Sequence, residues 1–196
     1  MEKATEVLKH DHRVIERVLA VLERVAEAPQ EASWATWGKV IDFIRNFADK
    51  CHHLKEEKIL FPTLQRHGIP CEGGPIGVML VEHEEGRGYL RLMTLALELA
   101  EEVPETARET LVQNARSYLR LLREHIRKEE EVLFEMADEA LTQEEQNKLA
   151  REFEEHEAKE IGAGVHERYL KIAEELKETQ IRAVNASAYD QNHRHP

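Results

Sequence analysis

Apolar residues recur along this chain at alternating steps of three and four, the spacing of a helix that buries one stripe of its surface. Turn-forming residues separate one stripe from the next. The last stripe opens with Thr142 and Glu145, which have the spacing of a capping box. The pattern therefore predicts five helices. Their apolar stripes fall within residues 8–26, 37–59, 76–100, 111–136 and about 142–177.

Short connections join the first four predicted helices. Pro29 and Ser33 separate the first from the second, "RHGIPCEGGP" separates the second from the third, and Pro104 suits the first turn of the fourth. Four long helices joined in this way predict an all-α, up-down-up-down four-helix bundle. Such a bundle often builds metal sites between its facing helices.

The remainder of the chain is predicted to pack on this bundle. Residues 1–140 form the bundle in this interpretation, and residues 141–178 form an additional C-terminal helix. Gly162 and Gly164 are expected to bend or weaken that helix. Residues 179–196 lack periodicity, so we predict a flexible tail whose two histidines are solvated.

Composition narrows the classes of function. The chain has 39 acidic and 27 basic residues and a net charge of −12. This balance argues against nucleic acid or an anionic membrane as a partner, because both need a concentrated positive field. No apolar run reaches the roughly 20 residues that cross a bilayer, and the first residues lack the apolar core of a secretory signal. We therefore expect a cytoplasmic location.

One motif occurs twice. "HHLKEEKILFP" begins at His52 and "HIRKEEEVLF" begins at His125. Aligning the shared K-E-E and L-F pairs matches His52 with His125 and Glu56 with Glu129. At about 100° of rotation per residue, His52 and Glu56 fall beside the apolar stripe of their helix. His53 falls on the far side, so we expect it to face outward or toward the fifth helix.

Depth along the helices brings further residues to the same level. Counted from the predicted turns at about 1.5 Å per residue, four helices deliver polar residues that agree in height to roughly two helical turns. These residues are His12, His52, Glu56, His83, His125 and Glu129.

The six residues together predict a buried metal site. Two buried carboxylates without a cation would each face several kcal/mol of desolvation, whereas four imidazoles and two carboxylates can hold two divalent ions. Imidazole mixed with carboxylate, without thiolate, suits iron or manganese better than a closed structural zinc site. In the H-x-x-x-E motif the imidazole binds one ion and the carboxylate bridges to the second. Such a set leaves coordination positions for water, oxygen, peroxide or nitric oxide.

Four segments carry a family resemblance. "LKHDHRVIERVL", "HHLKEEKILFP", "GGPIGVMLVEHEEGR" and "HIRKEEEVLF" together resemble the haemerythrin-like proteins, in particular the cation-binding group named for its His-His-Glu pattern, over about residues 5 to 137. The resemblance implies an oxo- or hydroxo-bridged di-iron pair. Its implied ligands are His12, His52, Glu56, His83, His125 and Glu129.

The chain departs from the oxygen carriers of that family at two positions. These carriers have a second histidine four residues after the one on the third helix, where this chain has Arg87. They also have an H-x4-D pattern on the last bundle helix, where this chain has His125 and Glu129. The first departure argues against reversible oxygen carriage. Arg87 either steers an anionic oxygen species or is a surface arginine.

Other candidates remain open at the level of sequence. Tyr118 either supplies a ligand or a hydrogen bond to the site or, as the favoured interpretation, packs in the core. On the fifth helix, Glu157 and His166 form a second metal site with His53 or Glu57 in one interpretation, and a solvated face in the favoured one.

We therefore expect a cytoplasmic di-iron protein that binds or reacts with O2, peroxide or nitric oxide for sensing, storage or detoxification. One alternative is a redox enzyme, a peroxidase or oxygen reductase, at the same centre. Another is a structural or iron-storage site, since ion binding adds to folding stability. Manganese and zinc are alternatives to iron, and the chain is a monomer or a homodimer.

Overall fold

The computed structural model describes residues 2–162 and 164–192, with side chains described up to residue 178. Within these residues the secondary structure is helical, without a β-strand, which confirms the all-α part of the predicted fold class. The described residues form six helices. They are α1 (Ala4–Glu27), α2 (34–66), α3 (Pro75–Glu98), α4 (104–140), α5 (143–162) and α6 (Val165–Asn192).

Local sequence explains most helix starts. Ser33 caps α2, because its hydroxyl oxygen accepts a hydrogen bond from the backbone N–H of Thr36 at 3.1 Å. Pro75 and Pro104 occupy the first turns of α3 and α4, where the missing N–H costs nothing. The capping box predicted at the start of α5 is present, with Thr142 and Glu145 bonded reciprocally.

Three helices contain π-helical turns, in which the backbone hydrogen bonds join residues five apart instead of four. In α2 they span Ile44–His53 and Glu56–Leu60, between the α-helical segments Trp34–Phe43 and Phe61–Arg66. In α4 a π-helical turn, Glu129–Leu133, separates Pro104–Lys128 from Phe134–Ala140, and α5 changes from Gln143–His156 to the π-helical Glu157–Gly162. Each copy of the repeated motif therefore contains a π-helical turn that includes its glutamate, Glu56 or Glu129.

Two apolar clusters form the core, and the predicted polar residues lie between them along each helix. His12, for example, lies between Leu8 of one cluster and Ile15 of the other. His83 likewise lies between Met79 and Leu90. A polar layer therefore divides the core at one level.

The helices pack in a way that brings the C-terminal region onto the first two. α3 packs along α4, α1 contacts α2 and α4, and both α5 and α6 contact α1 and α2. The up-down-up-down arrangement and the proposed domain limits stay predictions. No helix within residues 2–162 and 164–192 is long and apolar enough to cross a membrane.

The predicted fifth helix is two helices. Gly162 and Gly164, at φ of 107° and 78°, adopt the left-handed conformation that ends α5 before α6 begins. The helix α6 continues to Asn192, so backbone helix covers much of the expected tail. The mobility expected for that tail stays a prediction, and His193 and His195 lie outside the described residues.

Candidate metal centre

The structure brings all six predicted residues together in the polar layer. Each is 1% exposed or less, which is exceptional for ionisable side chains. α1 supplies His12, α2 supplies His52 and Glu56, α3 supplies His83, and α4 supplies His125 and Glu129.

One group of potential ligand atoms lies between α1, α2 and α4. His12, His52, Glu56 and Glu129 each offer an atom within 4.8 Å of the others. Nε2 of His12 lies 3.2 Å from Oε2 of Glu129, and Nε2 of His52 lies 3.6 Å from Oε1 of Glu56. Two imidazoles and two carboxylates thus converge on one point.

A second group lies between α2, α3 and α4 and shares both carboxylates with the first. Nε2 of His83 lies 3.5 Å from Oε2 of Glu56, and Nε2 of His125 lies 3.3 Å from Oε2 of Glu129. These four side chains also offer atoms within 4.8 Å of one another. Glu56 therefore directs one oxygen to each group, which is the arrangement of a carboxylate that bridges two ions.

Most of the atoms that face inward are unsatisfied by hydrogen bonds, the exceptions being Nε2 of His83 and Nε2 of His125, which lie 3.1 Å apart. Within the described residues, Nε2 of His12 and His52 and both oxygens of Glu56 and Glu129 have no hydrogen-bond partner. A buried polar group left in that state costs about 1–3 kcal/mol, and more when it is charged. Metal ions would satisfy these atoms, so the donor set fits a pair of cations.

The other ring nitrogen of each histidine is held by a carboxylate from a neighbouring helix. Nδ1 of His12 donates to Glu130 at 2.9 Å, that of His52 to Asp11 at 3.4 Å, that of His83 to Glu57 at 2.7 Å and that of His125 to Glu82 at 3.0 Å. Such outer partners fix the orientation and tautomer of metal-binding imidazoles, and leave Nε2 free for the metal.

These four outer carboxylates were not predicted. A signal for them is in the sequence, since each is the direct neighbour of a predicted ligand. Each holds the histidine of another helix, however, and that pairing cannot be inferred from one helix alone. The pairs run from α1 to α2, α2 to α3, α3 to α4 and α4 back to α1, which makes a closed carboxylate ring.

In the metal-free site, burial and neighbouring charges shift the pKa values of several ligand side chains in different directions. Burial, together with the proximity of Glu129, raises the pKa of Glu56 well above its usual value. Burial alone would raise the pKa of Glu129 too, but His125 and His12 outweigh it and hold that pKa well below the usual value. Burial would lower the pKa of His125, yet Glu129 raises it to about 9. Burial lowers the pKa of His52 to about 4. Cations must therefore displace protons from this site.

The prediction that His53 faces outward or toward the fifth helix is wrong. His53 is 5% exposed, and its ring stacks on that of His83 with centroids 4.0 Å apart and planes at 15°. The prediction assumed about 100° of rotation per residue. His53 ends the π-helical segment Ile44–His53, in which each residue turns by less, so a helical wheel misplaces it.

Arg87 is partly buried, and carboxylates surround its guanidinium. Its guanidinium donates to Asp49 and Glu57 at 2.7 Å each and to Glu84 at 2.6 Å. Glu57 is also the carboxylate that holds His83. Arg87 therefore fixes an outer carboxylate of the site.

Tyr118 belongs to the apolar core. It is buried in the larger apolar cluster, and a methyl group at Gly86 would lie 3.5 Å from its ring. Burial, together with Asp49, raises the pKa of its hydroxyl. These surroundings agree with the favoured interpretation of Tyr118 as a packed core residue.

Glu157 and His166 form a half-buried cluster instead of a solvated face. They lie 3.4 Å apart, and each approaches the buried Sγ of Cys51, at 3.5 and 3.6 Å. Cys51, Glu157 and His166 lie close enough together to hold an ion. The ammonium of Lys55, however, already donates a hydrogen bond to Glu157 at 2.5 Å. His53 and Glu57, the suggested partners, lie beside His83.

Comparison with known proteins agrees with this geometry. Residues 3–137 match the family model described as the Hemerythrin HHE cation binding domain. The chain therefore belongs to the hemerythrin HHE cation-binding family, which confirms the resemblance and shows that the domain is of a metal-binding type.

Curated relatives extend the similarity beyond that domain. Uncharacterized protein Rv1995 of Mycobacterium tuberculosis and uncharacterized protein Mb2018 of Mycobacterium bovis are each 26% identical to this chain over 175 residues. The similarity covers 87% of this chain and 68% of each relative. No solved structure gives a significant match.

Proposed function

We propose that this protein binds two iron ions at the candidate metal centre. One ion is held by His12 and His52 and the other by His83 and His125. The observation that carries the proposal is the pair of shared carboxylates, Glu56 and Glu129, whose four oxygens are buried without hydrogen-bond partners. The mixture of imidazole and carboxylate favours iron, with manganese and zinc as alternatives.

We also propose that α1 to α4 form the up-down-up-down bundle around this centre. The closed carboxylate ring supports it, because each of the four helices gives a carboxylate to the next and receives one from the previous helix. Such a ring needs four helices arranged around one axis.

The proposed activity is binding of, or reaction with, O2, peroxide or nitric oxide, in sensing, storage or detoxification. A pair of irons supplies redox electrons and open coordination positions when bound. The chain's own residues orient the imidazoles and limit the access of water. Phe134 stacks on His12 with centroids 5.5 Å apart, and Phe61 stacks on His83 at 5.9 Å. These two phenylalanines occupy matched positions in the repeated motif.

Metal analysis combined with spectroscopy tests this function. The protein, purified without an affinity tag, should contain two irons per chain, and its visible spectrum should change on exposure to O2, peroxide or nitric oxide. The Glu56→Gln variant should lose both the iron and the spectral response. An iron-loaded protein whose spectrum ignores all three reagents contradicts the proposed activity.

A structural or iron-storage role is the second candidate. It is favoured by the near-complete burial of all six residues, which restricts the entry of small ligands. Under this alternative, chelation should lower the unfolding temperature sharply while small ligands leave the loaded protein unchanged.

A further inference from the structure

We infer that His53 is a third imidazole ligand on the His83 and His125 side of the centre. This inference rests on the proposed function, since it adds a residue to the same site. It makes the two halves unlike, with two imidazoles on one side and three on the other.

The position of His53 supports direct ligation. His53, His83 and His125 each offer an atom within 4.8 Å of the others, as close as the atoms within the two groups already described. The ring centroid of His53 lies 4.0 Å from that of His83 and 5.6 Å from that of His125. Core packing alone does not require a ring nitrogen of one histidine to lie this close to the ring nitrogens of two others.

The hydrogen bonding of His53 supports the same conclusion. Both of its ring nitrogens are buried without a hydrogen-bond partner among the described residues. A buried imidazole normally satisfies at least one nitrogen through a backbone or side-chain group, because an unsatisfied polar group costs about 1–3 kcal/mol. A metal ion satisfies one of these nitrogens directly.

An outer carboxylate identifies which nitrogen faces the metal. Asp49, one turn earlier on α2, places Oδ1 3.8 Å from Nδ1 of His53. The same oxygen accepts a hydrogen bond from Nε of Arg87 at 2.7 Å, so its position is fixed. The other four histidines each have a carboxylate at Nδ1 and direct Nε2 inward. Asp49 lies on the Nδ1 side of His53, too far away for a hydrogen bond, so by analogy with the other four we assign Nε2 as the metal-binding atom.

The π-helical backbone explains how two consecutive histidines serve one centre. On a regular α-helix, neighbours point about 100° apart. Ile44–His53 is π-helical, so His52 and His53 diverge by less and both enter the core. His52 then lies in the group with His12, and His53 in the group with His83.

Nitrogen NMR of the wild-type protein tests the inference without a mutation. The chain has 11 histidines, and loading the metal-free protein with Zn²⁺ as a diamagnetic probe should shift the ring nitrogens of those that bind metal. Five metal-bound imidazoles, including His53, are expected. If only four imidazoles bind metal and the ring nitrogens of His53 do not shift, the inference is overturned and the proposed function remains intact. An absence of any metal-bound imidazole contradicts both.

Two variants give an independent measurement. His53→Phe keeps a ring against His83 without nitrogen, and His53→Gln keeps a polar group without the ring. Both should retain one tightly bound metal per chain while the affinity for the second falls more than the ~10–100-fold typical of losing an outer partner. The control is His10→Phe, since His10 has 56% of its side chain exposed. Two metals bound with unchanged affinity in either folded variant overturn the inference.

Discussion

The ammonium of Lys55 lies 2.6 Å from Oδ2 of Asp11, and neither group reaches solvent. Lys55 is 0% exposed and also bonds to Glu157 at 2.5 Å. Burial would lower the pKa of Lys55, but Asp11 and Glu157 outweigh it and raise that pKa. Asp11 in turn holds the imidazole of His52 at 3.4 Å. A charged chain of contacts therefore links α5 to a proposed metal ligand.

Replacing Lys55 should destabilise the protein strongly. Lys55→Met leaves Asp11 buried with its main cationic partner removed, a change that costs about 3–5 kcal/mol in comparable ion pairs. Denaturant unfolding of the metal-loaded protein measures the loss. Lys58→Met, an exposed position on the same helix, is the control and should change stability by less than about 0.5 kcal/mol. Equal effects of the two substitutions would contradict the role assigned to Lys55.

Three consecutive glutamates should give three different outcomes. Glu129→Gln removes a shared bridging carboxylate, so the protein should lose both metals. Glu130→Gln weakens the contact that holds His12 and should lower metal affinity about 10–100-fold. Glu131→Gln changes an exposed side chain and should bind metal normally. Competition with a chromophoric chelator ranks the three variants, and any other order counts against the site geometry.

The metal-free protein should lose stability as pH rises. The pKa of His125 in the fold is about 9, above the unfolded value of about 6.5, because Glu129 stabilises the imidazolium against burial. That contribution is fully present below about pH 6.5 and disappears as pH rises through about 9. Urea unfolding of chelator-treated protein from pH 6 to 10 measures the decline.

Metal binding should show the opposite trend across the same pH range. Metal and proton compete for Nε2 of His125, so affinity should increase with pH up to about 9. Competitive Zn²⁺ titrations at pH 6.5, 7.5 and 8.5 should show about a tenfold gain per pH unit for one displaced proton. An affinity independent of pH would mean that His125 is already neutral.

Arg87 should act through the outer carboxylates. Arg87→Met frees Asp49 and Glu57, and should lower the affinity of the His83 side for metal by about 10–100-fold. Arg127→Met is the control, because Arg127 bonds two carboxylates, Glu124 and Glu131, but lies away from the site with 53% of its side chain exposed. Isothermal titration resolves the two metal sites, and a uniform loss at both would contradict the assignment.

Sequence reasoning succeeded where periodicity and repetition agreed. His52 and Glu56 were chosen by both the helical stripe and the alignment with His125 and Glu129, and the structure brings all four to one level. Helical periodicity is a local property, so it placed these residues on the correct face.

The positions of the residues that sequence reasoning missed depend on π-helical turns and on how the helices are rotated against one another, and helical periodicity reveals neither. His53 was misplaced because periodicity assumes α-helical rotation, and nothing in the pattern marked the π-helical turns. Asp11 holds a histidine on another helix, and that pairing depends on how helices are rotated against one another. Glu157 and His166 had the spacing of a solvated face, yet α5 and α6 turn them toward Cys51 and Lys55.

The closed carboxylate ring has a consequence for how the protein responds to gain or loss of its proposed metals. A shift of α1, for example, would disturb both Asp11 against His52 and His12 against Glu130. Each of the four helices is tied to two others in this way. A displaced imidazole on one helix would therefore disturb the carboxylate contacts of the neighbouring helices in turn. We therefore expect the filled and the empty centre to differ in the packing of all four helices, and not only in the positions of the ligand side chains.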